Sequence, residues 1–338
     1  MRYLIGTREG LFLHDGSGTP AASGDLSGRS ILALRATGAR LLAGTDAGLF
    51  RSDDVGRSWR PGGIAGREVW DIAVAPSDAR VIYVGTQPAA LYRSRDRGDS
   101  WSEIDALGKT PGAEHWGLPN SSAGARARTI VLDPEAPARC RVGLEVGGVL
   151  ASEDDGASWT CILPGGNPDI HVMAGDPGRP GVLYATTGFG RMDSREPMER
   201  RIAGLFGSAD RGRTWRYLWA DREPKYTRPM SIDPRPPHAL TVACAPSAFV
   251  SFRDPGGARS MLYQSTDGAH TWRSLGDAEH SPSPANILAV VPAPDTPGAV
   301  LVGTDVGEVW QVSPDARWTL VTRGLPMVQA LLPLPDLR

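Results

Sequence analysis

Ser52-Asp53-Asp54-Val55-Gly56-Arg57-Ser58-Trp59 reads as Ser-x-Asp-x-Gly-x-x-Trp, and the pattern returns at Ser94 to Trp101, Ser152 to Trp159 and Ser208 to Trp215. A fifth copy, Ser265 to Trp272, keeps the serine, aspartate and tryptophan but carries its glycine at Gly268. Self-similarity at intervals of tens of residues marks a repeat architecture, in which each unit buries its apolar face only against the next. Each copy has the chemistry of a tight turn between two strands. Asp accepts N–H bonds within its own turn, Gly takes a backbone angle that other residues avoid, and Ser adds a local bond. The tryptophan three residues after the glycine opens the next strand and offers a large apolar surface to a neighbour.

Outward from the turns, alternating apolar residues and turn signals divide each repeat into four strands, A to D. The second strand often ends in Gly-Thr, as at Gly6-Thr7, Gly44-Thr45, Gly85-Thr86 and Gly303-Thr304. The third follows as Gly10-Leu11-Phe12, Gly48-Leu49-Phe50, Gly204-Leu205-Phe206 and close variants. A strands are expected at 30–36, 68–75, 127–133, 170–176, 228–233, 285–292 and 327–334. The first B and C strands precede all of these, and the last A strand has no B strand after it. The economical solution is circular closure, with the C-terminal strand serving as strand A of the first blade and removing free sheet edges. The chain is therefore expected to be a single domain, residues 1–338, an all-β seven-bladed β-propeller of four-stranded antiparallel blades. Blades 1 and 7 lack a full turn motif; His14-Asp15-Gly16-Ser17 and Ser313-Pro314-Asp315-Ala316-Arg317-Trp318 hold its place.

The repeated turn resembles the Asp-box, or bacterial neuraminidase repeat (BNR), of sialidases, sortilin-type receptors, xyloglucan-cleaving propellers and photosystem assembly-factor propellers. The resemblance covers nearly all of the chain. It implies that each box lies between the third and fourth strands at the outer rim of a blade, where it serves architecture and not catalysis. Sialidases pair this fold with an arginine triad, a Tyr/Glu nucleophile pair and an acidic Asp. Here no Arg-Ile-Pro motif occurs near the N-terminus, seven blades are expected against six, and no tyrosine is placed as nucleophile. The chain does not read as a true sialidase.

Composition agrees with an all-β repeat, because 41 Gly and 29 Pro are scattered as turn punctuation. A net charge of −2 argues against a nucleic-acid partner. No apolar run approaches membrane-spanning length, and the N-terminus runs straight into a strand pattern. The three cysteines, Cys140, Cys161 and Cys244, have no metal-like spacing and read as small core residues of a reducing compartment. These features predict a soluble cytoplasmic protein without membrane or nucleic-acid contacts.

In propellers, ligands meet the face formed by D-to-A and B-to-C loops, an expectation from fold analogy. Three long connections are candidates: 105–126, 188–202 (with Arg191, Arg195 and Arg200) and 245–259. His115, His171 and His280 fall in D-to-A loops or at the start of A strands, and Glu68, Glu145, Asp169 and Asp305 are expected close to the axis. Imidazoles converging with a carboxylate serve as general acid and base or bind a divalent metal, so His115, His171 and His280 are both catalytic and metal-ligand candidates. The bland alternative is three unrelated loop histidines. Trp116, Trp219 and Tyr226 offer flat faces to a sugar or else fill blade interfaces, and Arg126, Arg128, Arg191 and Arg228 suit anionic groups.

Two functions stay open. One is a glycosidase-like or metal-assisted lyase or hydrolase propeller holding a small polar or anionic ligand, such as a glycan, in an axial cleft. Glycoside cleavage would need two facing carboxylates, drawn from Glu68, Glu145, Asp169 and Asp305; the metal version resembles seven-bladed lyases that use an axial histidine. The other is a non-catalytic propeller that binds a protein partner, as in assembly factors.

Overall fold

The structure, a computed structural model, describes residues 2–16, 18–118, 122–192, 202–247 and 256–334. They form seven four-stranded antiparallel sheets, the blades of a seven-bladed β-propeller. Strand A of blades 2 to 7 spans Ile31–Thr37, Glu68–Ala75, Arg126–Leu132, Ile170–Gly175, Tyr226–Ile232 and Ile287–Pro292. Blade 1 takes its A strand, Val328–Leu334, from the far end of the chain, paired to Arg2–Thr7. Helix occurs among the described residues only as short 3-10 turns, and none is long and apolar enough to cross a membrane.

Blades 2 to 5 make up one compact unit, Leu32–Ala220, which begins one residue into the first A strand. Its core lies between successive blades: Tyr83 and Leu91 of blade 3 pack with Ala127, Ile130, Val142, Leu144, Leu150 and Trp159 of blade 4. Blades 1, 6 and 7 belong to the second unit, Met1–Ile31 with Asp221–Arg338. There Leu262 and Leu275 of blade 6 meet Val300, Val302 and Val312 of blade 7 in the same manner. B strands such as Leu183–Thr187 are buried along their whole length, as strands covered on both faces must be.

The turn motifs repeat atom for atom. Gly56 N–H donates to Ser52 Oγ at 2.8 Å, Ser58 N–H and Oγ donate to the two oxygens of Asp54 at 2.9 and 2.6 Å, and Trp59 Nε1 donates to Gly56 O at 3.2 Å. The Ser152 and Ser208 turns repeat the set, whereas Trp101 sends its N–H to Gly62 O. Two successive residues are left-handed in each turn, for instance Val55 at φ 62° and Gly56 at φ 85°. The fifth turn keeps the serine and aspartate hydrogen bonds although its glycine is displaced. Ala269 N–H takes the glycine's place on Ser265 Oγ, at φ 70°, and Gly268 occupies the preceding left-handed position. In blade 1, His14 Nδ1 accepts from Gly16 N–H at 3.1 Å, so the imidazole replaces the serine. Cys140 and Cys244 are buried as expected, but Cys161 is exposed on the D strand of blade 4.

Candidate functional site

Strand A of blades 3, 4 and 5 carries the same irregularity. Its register against strand B shifts between Val69 and Asp71, between Ala127 and Thr129, and between Ile170 and Val172. The residues passed over are Trp70, Arg128 and His171. A bulge of this kind leaves one residue out of the ladder and re-aims its side chain, which is why bulges collect beside active sites. Just upstream, Glu68 lies opposite Gln87 and Arg126 opposite Glu145.

These positions converge. Arg126 Nη1 lies 3.2 Å from Glu145 Oε2, and Arg128 Nη1 bonds the same oxygen. Arg126 Nε donates to Gln87 Oε1 at 2.9 Å, and Gln87 in turn donates to Gly124 O. Both guanidinium groups approach the indole of Trp70, at 4.2 and 5.4 Å from its ring centroid, within cation–π range. Trp70 Nε1 donates to Glu68 Oε2 at 2.9 Å. On the blade 5 side, His171 Nε2 lies 3.9 Å from Glu145 Oε1 and 3.4 Å from Asp169 Oδ1. Burial divides the cluster into two levels. His171, Asp169 and Glu145 are 0, 5 and 7% exposed, whereas Glu68, Trp70 and Arg126 are partly exposed. Burial also pushes the Asp71 carboxyl up from its ordinary value, opposed by Arg35 and by the N–H groups of Ile130 and Ile72.

The buried level also anchors the long connection of blade 5. Asn167 Nδ2 donates to Gly188 O and Ile202 O, holding both ends of the loop, and Gly190 N–H donates to Asp169 Oδ2 at 2.7 Å. A Cβ at Gly188 would come within 2.3 Å of Asp169 Oδ2 and 2.6 Å of His171, so the stem presses directly on these side chains. Residues 193–201, with Arg195 and Arg200, and much of the 245–259 connection lie outside the described residues.

The remaining sequence candidates have other surroundings. His115 sits on a single 3-10 turn with its side chain 52% exposed, its Nε2 3.5 Å from Glu114. The Nδ1 of His280 lies 2.8 Å from Asp277, and its ring stacks on Trp318 and meets Trp310 edge-on. Among the described residues, the His, Asp and Glu side chains whose ligand atoms lie within 4.8 Å of one another are Glu145, Asp169 and His171, a group that brings together one of the three candidate histidines with two carboxylates. The Oδ1 of Asp305 accepts from Asn286 N–H at 2.8 Å and closes a loop of blade 7. Trp116 packs on the core between blades 3 and 4 and against Gly147. Trp219 is fully buried and Tyr226 is 7% exposed, so both rings pack rather than present a face. Arg191 is exposed and Arg228 half-buried.

Gln87, Asn167, Gly188 and Gly190 were not anticipated, and Trp70 was not singled out among the tryptophans. One signal for them was present. Gln87 and Glu145 occupy the residue after the Gly-Thr position at the end of strand B, where repeat register aligns them with Asp46, Gly188 and Asp305.

No family model matches the chain. Among curated proteins it is similar to the oligoxyloglucan-reducing end-specific xyloglucanase of Emericella nidulans, 24% identical over 237 residues, covering 60% of this chain and 26% of that protein. A probable oligoxyloglucan-reducing end-specific xyloglucanase of Neosartorya fischeri is 24% identical over 242 residues, 62% of this chain and 27% of the relative. The chain thus spans about a quarter of the length of these curated relatives. Among solved structures, the GH74 xyloglucanase of Xanthomonas campestris superposes with a TM-score of 0.69 at 22% identity, over 95% of this chain and 52% of that one. YCF48 bound to D1 peptide superposes with a TM-score of 0.55 at 14% identity, over 86% of this chain and 82% of that one. These structural likenesses concern the propeller fold.

Proposed function

We propose that the protein is a saccharide-binding, glycosidase-like propeller of the Asp-box group whose ligand rests on Trp70, Arg126 and Glu68. The observation that carries the reading is the two-level cluster: a partly exposed indole, guanidinium and carboxylate held over a buried base of Glu145, Asp169 and His171, with Arg128 bonded to Glu145. Sugar sites combine an aromatic surface with a few fixed polar groups, and a buried base fixes them before the ligand arrives. Similarity to xyloglucanases points to the same ligand class. Binding suits this face better than cleavage. Glu145 and Asp169 are both buried, whereas a catalytic carboxylate pair must reach the two sides of a bound glycosidic bond.

A glycan array that includes xyloglucan oligosaccharides tests the reading, with wild type beside Arg126→Ala and Glu68→Gln. Signal on a defined glycan class, weakened in both variants, supports it; no glycan above background contradicts it. A second reading, recognition of an extended peptide, is favoured by length. This chain covers 82% of the peptide-bound YCF48 chain against 52% of the GH74 xyloglucanase. Capture of a peptide with no glycan signal would select it.

A further inference from the structure

The buried base holds a feature that saccharide binding does not require. Asp169 is 5% exposed, and its Oδ2 accepts the Gly190 N–H, yet its Oδ1 has no hydrogen-bond partner among the described residues. A buried carboxylate oxygen without a donor carries the desolvation cost of a charge with nothing to offset it, and such groups occur paired or on metals. That oxygen faces His171 Nε2 at 3.4 Å, and Glu145 Oε1 completes the group at 3.9 Å from the same nitrogen. Ligands about 2.0–2.2 Å from a four-coordinate ion are spaced about 3.3–3.5 Å apart, a spacing the Asp169–His171 pair already has, while Glu145, 3.9 Å from His171 and within 4.8 Å of Asp169, closes on the ion by about an ångström.

We propose that Glu145, Asp169 and His171 hold one divalent metal ion, which ties the stem of the 188–202 loop to blades 4 and 5. One imidazole nitrogen and two carboxylate oxygens suit zinc or manganese rather than the harder magnesium. The site is closed, because Gly188 and Gly190 press on Asp169 and leave no space for a side chain at either position. Three protein donors leave the fourth position of a four-coordinate ion to a water. Arg126 and Arg128 both bond Glu145 Oε2. They also offset part of the negative charge, so affinity falls below that of an unopposed triad. The test therefore adds metal instead of relying on what co-purifies.

Full-length protein stripped with a chelator is dialysed against zinc, manganese or magnesium chloride. Bound metal is measured by mass spectrometry, and melting is followed on the same samples. The expected result is one equivalent of zinc or manganese with a raised melting temperature. Asp169→Asn and His171→Gln bind at least tenfold more weakly, and the His115→Ala/His280→Ala double variant binds as wild type. Three results would overturn the proposal: no stoichiometric zinc or manganese on folded wild type, unchanged affinity in both site variants, or loss in the double variant. Should neither site variant fold, wild type and the double variant decide, since both must bind one equivalent. The glycan array reads Arg126 and Glu68, neither of them a ligand, so the two proposals fail separately.

Discussion

The outer turns and the starts of the A strands follow opposite rules. In five blades the turn repeats its serine, aspartate and tryptophan, and the same Ser–Asp hydrogen bonds recur at nearly equal distances. At the bulges of blades 3, 4 and 5 the backbone irregularity repeats, but the side chains are Trp70, Arg128 and His171. Sameness maintains the fold, since each of these five blades makes the same turn between its outer strands. Where the backbone repeats and the chemistry does not, the scaffold carries something specific to one sector.

The largest effect that would sharpen this contrast comes from Trp159→Ala. Its ring is 7% exposed within the core of blades 3 and 4, and removing a buried Trp costs about 3–5 kcal/mol. Urea unfolding should register that loss, whereas Trp70→Ala, at a partly exposed ring, should move the midpoint little. Arg128→Ala ranks next. It leaves the buried Glu145 carboxylate with one guanidinium fewer, and breaking a buried ion pair costs about 3 kcal/mol; a loss under about 1 kcal/mol in the same assay would break the idea of a rigid base.

Smaller effects test the turns themselves. Ala269 holds a left-handed angle that glycine adopts freely, so Ala269→Gly should raise stability by up to about 1 kcal/mol. An unchanged or lower melting temperature would contradict that assignment. The smallest effect is a pH dependence. For Asp267, partial burial acts to raise the pKa, but the hydrogen bonds from Thr271, Ser265 and His270 outweigh it and bring the carboxyl down to about 2; Asp210 is held at about 2 in the same way by Thr214, Ser208 and Arg213. A folded value below the ordinary one, about 3.9, means stability that is present above pH 4 and lost as pH falls toward 2. Asp267→Asn should flatten that part of the acid-unfolding curve, and an unaltered curve would rule the linkage out.

The fold was legible because its determinants are local and repeated. The turn at Ser52 to Trp59, the Gly-Thr ends of B strands and the unmatched C-terminal strand each carry their meaning within a few residues. The site was legible in part. Glu145, Asp169, His171, Arg126 and Arg128 are candidates from the sequence that the structure brings together. His115 and His280 were grouped with His171 by blade position alone, which does not fix side-chain direction. Trp70 was passed over because a bulge is a property of pairing between strands, and a single strand's sequence does not reveal which residue leaves the ladder. Gly188 and Gly190 matter through contacts with side chains some twenty residues earlier, and glycines in a loop look alike until those contacts are seen.

The central claim is that the departures from repetition in blades 3 to 5, and not the repeated turns, carry the function. Calorimetric titration of xyloglucan oligosaccharides into wild type and Trp70→Ala, at matched urea midpoints, tests it most directly. The account predicts saturable binding by wild type and at least tenfold weaker binding by the variant. Equal affinity in the two proteins, or no heat with wild type at millimolar oligosaccharide, would contradict it.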